Sequence, residues 1–268
     1  MSLTPPDQDG GAVVMRGRKA DEAEMTFTEH LRELRNRLFI AIAAVGLLSL
    51  IAFPEMPKIL GFVEHRFLPG VSLHVFSPAE IIRVELKLSV LVGLVIAFPV
   101  VLYEAYAFVA PALDTRIRSR IVWYGLCSFV MSALGISFCG FWVLPYVIRA
   151  LLKFTANAGL VGTYQLDPTV GFITILLGIF AVIFQLPIIL SMLASVGLVS
   201  ASFLLGKWRQ ATVLFCVVAG IAAPDGSPLT MALLALPLIA LYAISIIVVR
   251  LTQPKVAPLH ARSDPGIG

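Results

Sequence analysis

Charge is scarce in this sequence. Only 13% of its 268 residues are Asp, Glu, Lys or Arg, against 59% hydrophobic, and the mean hydropathy is +0.93. A soluble domain of this length cannot enclose so much apolar surface, so lipid must replace water over much of it. Cysteine is scarcer still. Cys127, Cys139 and Cys216 lie in apolar runs without CxxC spacing, which argues against a disulfide framework or thiolate metal site and leaves them as small packing residues. The histidines His30, His65, His74 and His260 are scattered and match no zinc pattern. GxSxG, HExxH, P-loop and GxGxxG motifs are missing. Enzyme chemistry therefore has no visible foothold, and no metal or cofactor is expected.

Long apolar runs are abundant. Six segments read as spans, roughly Leu38–Phe53, Leu88–Val109, Ile121–Leu144, Val170–Val196, Ala211–Ala223 and Leu229–Val249. The expected fold is an all-α integral membrane protein with six transmembrane helices. Residues 26–252 form the membrane domain, between an N-terminal extension (1–25) and a tail (253–268) whose Pro, Gly and charge predict disorder. No cleavable leader is expected, because the only apolar run near the terminus, GAVVM, is too short. Met25 would also serve as a start.

Lys and Arg sort by loop. One side carries Arg16, Arg18, Lys19, Arg32, Arg35, Arg37, Arg116, Arg118, Arg120, Lys207, Arg209, Arg250, Lys255 and Arg262. The other carries only Lys58, Arg66, Arg83, Lys87, Arg149 and Lys153, spread over longer loops. The bias places both termini in the cytoplasm. The net charge of +4 thus reflects topology and not nucleic-acid binding.

Three outer helix starts share one device. SPAE offers Ser77 as N-cap, Pro78 at N1 and Glu80 at N3; Asp167-Pro168 and Ser227-Pro228 repeat the pattern. The second helix then starts outside the membrane, where Glu80, Arg83, Glu85 and Lys87 form either a solvated extension or a surface for a partner. The stretch PKILGFVEHRFLPG within Pro54–Phe76 is expected to lie along the interface, and Arg149–Asp167 to form a polar loop over the outer face. Pro99, Pro145, Pro187 and Pro237 should bend four spans. Span 5 is anomalous: about 14 residues give roughly 21 Å against a core of about 30 Å. The deficit predicts bilayer thinning, snorkelling of Lys207 and Arg209, or pairing with other spans.

The stretch MTFTEHLRELRNRLF runs straight into the first span. Thr26 and Glu29 form a T-x-x-E capping box, predicting a helix start. Phe27, Leu31, Leu34 and Leu38 form one apolar stripe, with Glu29, Glu33 and Arg37 on the opposite face. An i,i+4 pair between Glu33 and Arg37 is the plain reading, and contributes about 0.3–0.5 kcal/mol.

The motifs HLRELRNRL, SPAE with Lys87, Gly93 and Pro99, VLYEAYAFVAPAL, FAVIFQLPIILSML with GLVS, and APDGSP with ALPLIALY resemble, in order and spacing, the TatC family, the multi-spanning receptor of the twin-arginine protein translocase. The resemblance covers roughly residues 26–252. It implies a cupped-hand bundle of six spans in a prokaryotic plasma membrane and a receptor for folded cargo bearing twin-arginine signal peptides. It also implies homo- and hetero-oligomers with TatA- and TatB-type single-span partners, driven by the proton-motive force.

Under the resemblance, Glu33 accepts a guanidinium from the cargo's arginine pair, bidentate geometry that Lys cannot copy. Arg35 and Arg37 keep Glu33 ionised and repel a misplaced cation. Phe108, Pro111 and Leu113 match positions where the family lines its signal-peptide site. The family's loop glutamate is replaced by Ile117, leaving Asp114 or Glu104 (usually glutamine in the family) to pair with the second arginine. Gln185 matches a Glu or Gln position on the concave face, read as either a helix-packing hydrogen bond or a polar spot in the cavity. Gln does not titrate, so a proton relay there is excluded. Asp225 matches an acidic outer turn, although Ala223 replaces the usual threonine; a turn-forming Asp before Gly is an equal reading. Ala243 stands where a span-6 glutamate is frequent.

Two other classes fit the sequence less well. A small-solute secondary transporter calls for inverted repeats, Gly-broken helices and ionisable midplane residues, and Gln185 is a poor substitute for these. A membrane enzyme lacks a nucleophile–base or metal signature.

Overall fold

The computed structural model describes residues 10–69, 71–109, 115–157, 163–195, 197–223 and 226–252. Helix α1 (Gly10–Ala52) enters the membrane and leads through a 3-10 turn (Phe53–Glu55) into α2 (Met56–Phe67). A short strand β1 (Leu73–His74) precedes α3 (Pro78–Val109) and α4 (Thr115–Phe138). A π turn (Cys139–Val143) joins α4 to α5 (Leu144–Asn157), and strand β2 (Tyr164–Gln165) leads into α6 (Leu166–Ile183). The chain ends with α7 (Leu186–Ser195), α8 (Ala201–Gly206), α9 (Trp208–Ala222) and α10 (Pro228–Thr252).

Among the described residues, five helical stretches are long and apolar enough to cross a membrane, and α9 is the shorter sixth. At 15 residues, α9 is about 22 Å long, as short as its sequence requires. The helices form a row of neighbours: α1 on α3, α3 on α4 and α6, α7 on α10, and α10 on α9. The main core lies between α3, α5, α6 and α10, around Val84, Leu88, Val147, Ile173, Leu176, Phe180 and Leu234. Helix α1 sits at the edge, leaving Phe39, Ile42, Leu47, Leu50 and Ile51 exposed to lipid.

Proline marks the irregularities. Pro187 cannot donate to the carbonyl of Ile183, and the fourth span breaks between α6 and α7 at Phe184 and Gln185. Pro145 cannot donate to Phe141, and the wide π turn just before it takes up the mismatch. Pro99 and Pro237 lie within α3 and α10.

Several expectations need correction. The helix starts at Gly10, so Thr26 lies inside α1 and the expected boundary at residues 25/26 is crossed without a break. Good helix formers such as Ala, Glu, Met, Arg and Lys populate this stretch. The tail beyond Thr252 lies outside the described residues. The expected outer loop from Arg149 is helical to Asn157, because Val147, Ile148, Leu151 and Leu152 recur at helical spacing and pack on the core. Ser227 caps α10 as expected, accepting from the Thr230 amide at 3.2 Å. Asp167 instead lies in the first turn of α6, with Gln165 at the cap. In the SPAE box, Ser77 Oγ accepts from the Ala79 amide at 3.3 Å, and Glu80 reaches back to the amide of Phe76 at 3.4 Å.

Candidate functional site

On α1, just before its apolar run, Glu33 and Arg37 lie one turn apart on one face. Arg37 Nε and Nη2 both donate to Glu33 Oε1, at 2.9 and 2.6 Å. The same guanidinium turns its third nitrogen outward: Nη1 donates to Glu104 Oε2 on α3 at 3.1 Å. Two carboxylates from different helices therefore share one guanidinium. Their other oxygens, Glu33 Oε2 and Glu104 Oε1, accept no hydrogen bond among the described residues.

Helix register explains the meeting. A Cβ on Gly93 would overlap the side chain and backbone of Ser49, so the two helices touch there. The helices run antiparallel, and the stretch from Ser49 back to Arg37 nearly equals that from Gly93 on to Glu104. Arg37 and Glu104 are thereby brought to one level. The side chains are 35% exposed at Glu33, 25% at Arg37 and 13% at Glu104. The acid on α3 is thus the better shielded, and water screens its bond less.

Toward the membrane, an apolar groove of about 660 Å³ runs along the same helix pair, lined by Leu38, Val45, Leu50, Val90, Leu94 and Val101 among others. Acid groups at one end and hydrocarbon along the rest would suit a peptide whose basic residues precede an apolar run.

The other candidates are distributed as follows. Arg35 is exposed and reaches only its neighbour Asn36, at 3.4 Å, among the described residues; it does not join the Glu33–Arg37–Glu104 group. Phe108 is half-buried one turn beyond Glu104. Pro111, Leu113, Asp114 and Asp225 lie outside the described residues.

Of the two readings of Gln185, its surroundings match the helix-packing hydrogen bond. Gln185 is 1% exposed, and its amide donates to the backbone oxygen of Ser128 on α4 at 3.1 Å, facing a helix and not an open space. At the break before Pro187 the same amide also reaches the Ala181 carbonyl of α6 at 3.4 Å, while its Oε1 has no partner among the described residues.

The outer pair Glu80 and Lys87 finds its partners within the chain. Glu80 is 2% exposed and accepts from Gln165 Nε2 at 2.6 Å, tying α3 to β2. Lys87 Nζ lies 2.5 Å from Asp167, which also meets Arg83 at 3.3 Å. These groups close the outer face internally, alongside the parallel pairing of Leu73 with Tyr164 and His74 with Gln165.

Residues 29–237 match the family model of the Sec-independent protein translocase protein TatC. The chain belongs to the TatC family. It is 35% identical to the Sec-independent protein translocase protein TatC of Aquifex aeolicus (strain VF5), over 86% of this chain and 97% of that protein. It is 36% identical to the chloroplastic TATC of Arabidopsis thaliana, over 87% of this chain and 68% of that protein. A crystal structure described as the twin arginine translocase receptor TatC superposes with a TM-score of 0.72 at 34% identity, covering 83% of this chain and 99% of that one. A second structure of that receptor, in the detergent DDM, gives 0.73 at 32% identity, over 81% and 98% of the two chains. TatC proteins are protein translocase components and multi-pass membrane proteins, and membership sets aside the small-solute transporter reading.

Proposed function

We propose that this TatC protein is the receptor subunit of a twin-arginine translocase, and that Glu33 and Glu104 together receive the guanidinium groups of the signal peptide. One observation carries the reading: the two carboxylates already hold a guanidinium, that of Arg37, between them. A cargo arginine would replace Arg37 or add to the unused oxygens of both acids. Guanidinium suits this task because its planar fork donates in several directions at once, which ammonium does not copy.

The apolar groove between α1 and α3 then receives the hydrophobic stretch of the leader. Phe108, and by the family resemblance Pro111, Leu113 and Asp114 that follow α3 in the sequence, add to the peptide's contacts, with Asp114 a second acid for the arginine pair. Asp225 precedes α10 in the sequence and matches the family's acidic outer turn. The protein works in a prokaryotic plasma membrane with both termini in the cytoplasm, alongside TatA- and TatB-type single-span partners, and the proton-motive force drives export. The short α9 favours pairing with such spans.

Photo-crosslinkers placed at position 34, beside Glu33, and at position 108 test the assignment. A twin-arginine signal peptide should label both positions, and a twin-lysine version should label them many-fold less. Equal labelling by the two peptides would contradict the site.

A further inference from the structure

A cationic cleft lies on the face of the membrane opposite the carboxylate pair. Between the C-terminal end of α2 and the start of α5 there is a cleft of about 270 Å³. Arg66 and Arg149 enter it from opposite elements, and Phe67, Leu68, Val71, Ile148 and Leu152 supply apolar walls. Neither arginine has a carboxylate within ion-pair distance among the described residues, whereas the neighbouring outer cations Lys58, Arg83 and Lys87 all do. Two uncompensated guanidinium groups facing one small cleft call for an anion.

The cleft's depth indicates which anion. Phe141, 61% exposed, lines the cleft, and its sequence neighbours Trp142 and Tyr146 on the π turn and α5 are 63% and 55% exposed. Exposed aromatic residues of this kind settle at the level of lipid headgroups. Arg66 is stacked 5.0 Å above the Phe141 ring, which fixes one guanidinium there. We infer that the Arg66–Arg149 cleft binds the phosphodiester of an anionic glycerophospholipid of the outer leaflet, whose acyl chains run down past Phe141 and Trp142. A free phosphate shares the charge, but would gain nothing from the apolar walls or the exposed aromatic residues. Bidentate guanidinium–phosphate pairing supplies the charge recognition. The two arginines come from α2 and from the outward extension of α5, so an occupied cleft clamps the interfacial helix to the third span.

Trp142 is the reporter for the test. The full chain, with Trp123→Phe and Trp208→Phe, is reconstituted in phosphatidylcholine vesicles containing a minor share of phosphatidylglycerol, with bromine on the acyl chains of one lipid or the other. Brominated phosphatidylglycerol should quench Trp142 several-fold more than its mole fraction allows. That excess should fall to the level of phosphatidylcholine in Arg66→Gln/Arg149→Gln, and fall markedly in Arg149→Gln, which leaves the Arg66–Phe141 stack untouched. Lys153→Gln, an outer-face charge outside the cleft, should keep the excess. Equal quenching by the two lipids, an excess that survives in the double variant, or one lost equally in Lys153→Gln would overturn the inference. Displacement of the lipid by millimolar inorganic phosphate would overturn the lipid assignment in favour of a free-anion site.

Discussion

Arg37 of α1 donates to Glu104 of α3 at 3.1 Å, across 67 positions of the chain, while its other nitrogens hold Glu33. This bond makes a two-helix site from what would otherwise be a charge pair along one helix. Hydrogen bonds to charged groups contribute about 1.5–3 kcal/mol net, and the shielding of Glu104 places this one above an exposed surface pair.

In the proposed site, Arg37 would compete with an arriving arginine for the same oxygens. Arg37→Gln should therefore raise the affinity for a twin-arginine signal peptide by roughly five- to tenfold, or about 1–1.4 kcal/mol. Peptide titration against the purified receptor in nanodiscs checks it. Weaker binding would make Arg37 part of the peptide's own binding surface.

The proposal requires the carboxylate on α3 for its charge and not for its shape. Glu104→Gln keeps the size and should weaken twin-arginine binding several-fold, and adding Asp114→Asn should weaken it further. Export undiminished in the double variant would remove both acids from the site.

Gly93 sets the register that brings Arg37 to Glu104. Gly93→Leu drives a side chain into Ser49, where overpacking costs about 1–3 kcal/mol. The expected outcome is a lower melting temperature together with weakened peptide binding. A cysteine pair at positions 37 and 104 that crosslinks as readily in the Gly93→Leu background as without it would contradict this.

Much of the architecture was legible because lipid makes simple demands. Each crossing needs an apolar run, Ser227 before Pro228 announces α10, and the few residues between Arg209 and Pro224 give a short α9. Pro187 announced a bend, and the actual break at Phe184 and Gln185 is its stronger form. The site was legible only in its parts. Glu33, Arg37 and Glu104 stood out as polar residues beside apolar segments, but their union depends on how α1 slides along α3. That register rests on the contact of Gly93 with Ser49, and no periodicity reports it. The partners of Glu80, Lys87 and Gln185 were not legible for a related reason: each is a polar group near or within a span, and only the packing shows that Gln165, Asp167 and the Ser128 carbonyl meet them.

The outer cluster should be separable from the receptor site. Asp167→Asn loosens Lys87 and Arg83, which are largely exposed. It should lower stability by about 1 kcal/mol or less, and peptide binding should not change. A large loss of binding would mean that the two faces are coupled.

Peptide affinity across a charge-for-amide exchange tests the central claim most directly. Twin-arginine and twin-lysine signal peptides are titrated against the parent protein and against Glu33→Gln/Glu104→Gln, with melting curves confirming that both are folded. The parent should prefer the arginine peptide by tenfold or more, and the double variant should bind the two peptides alike. An arginine preference that persists unchanged without either carboxylate would contradict the account.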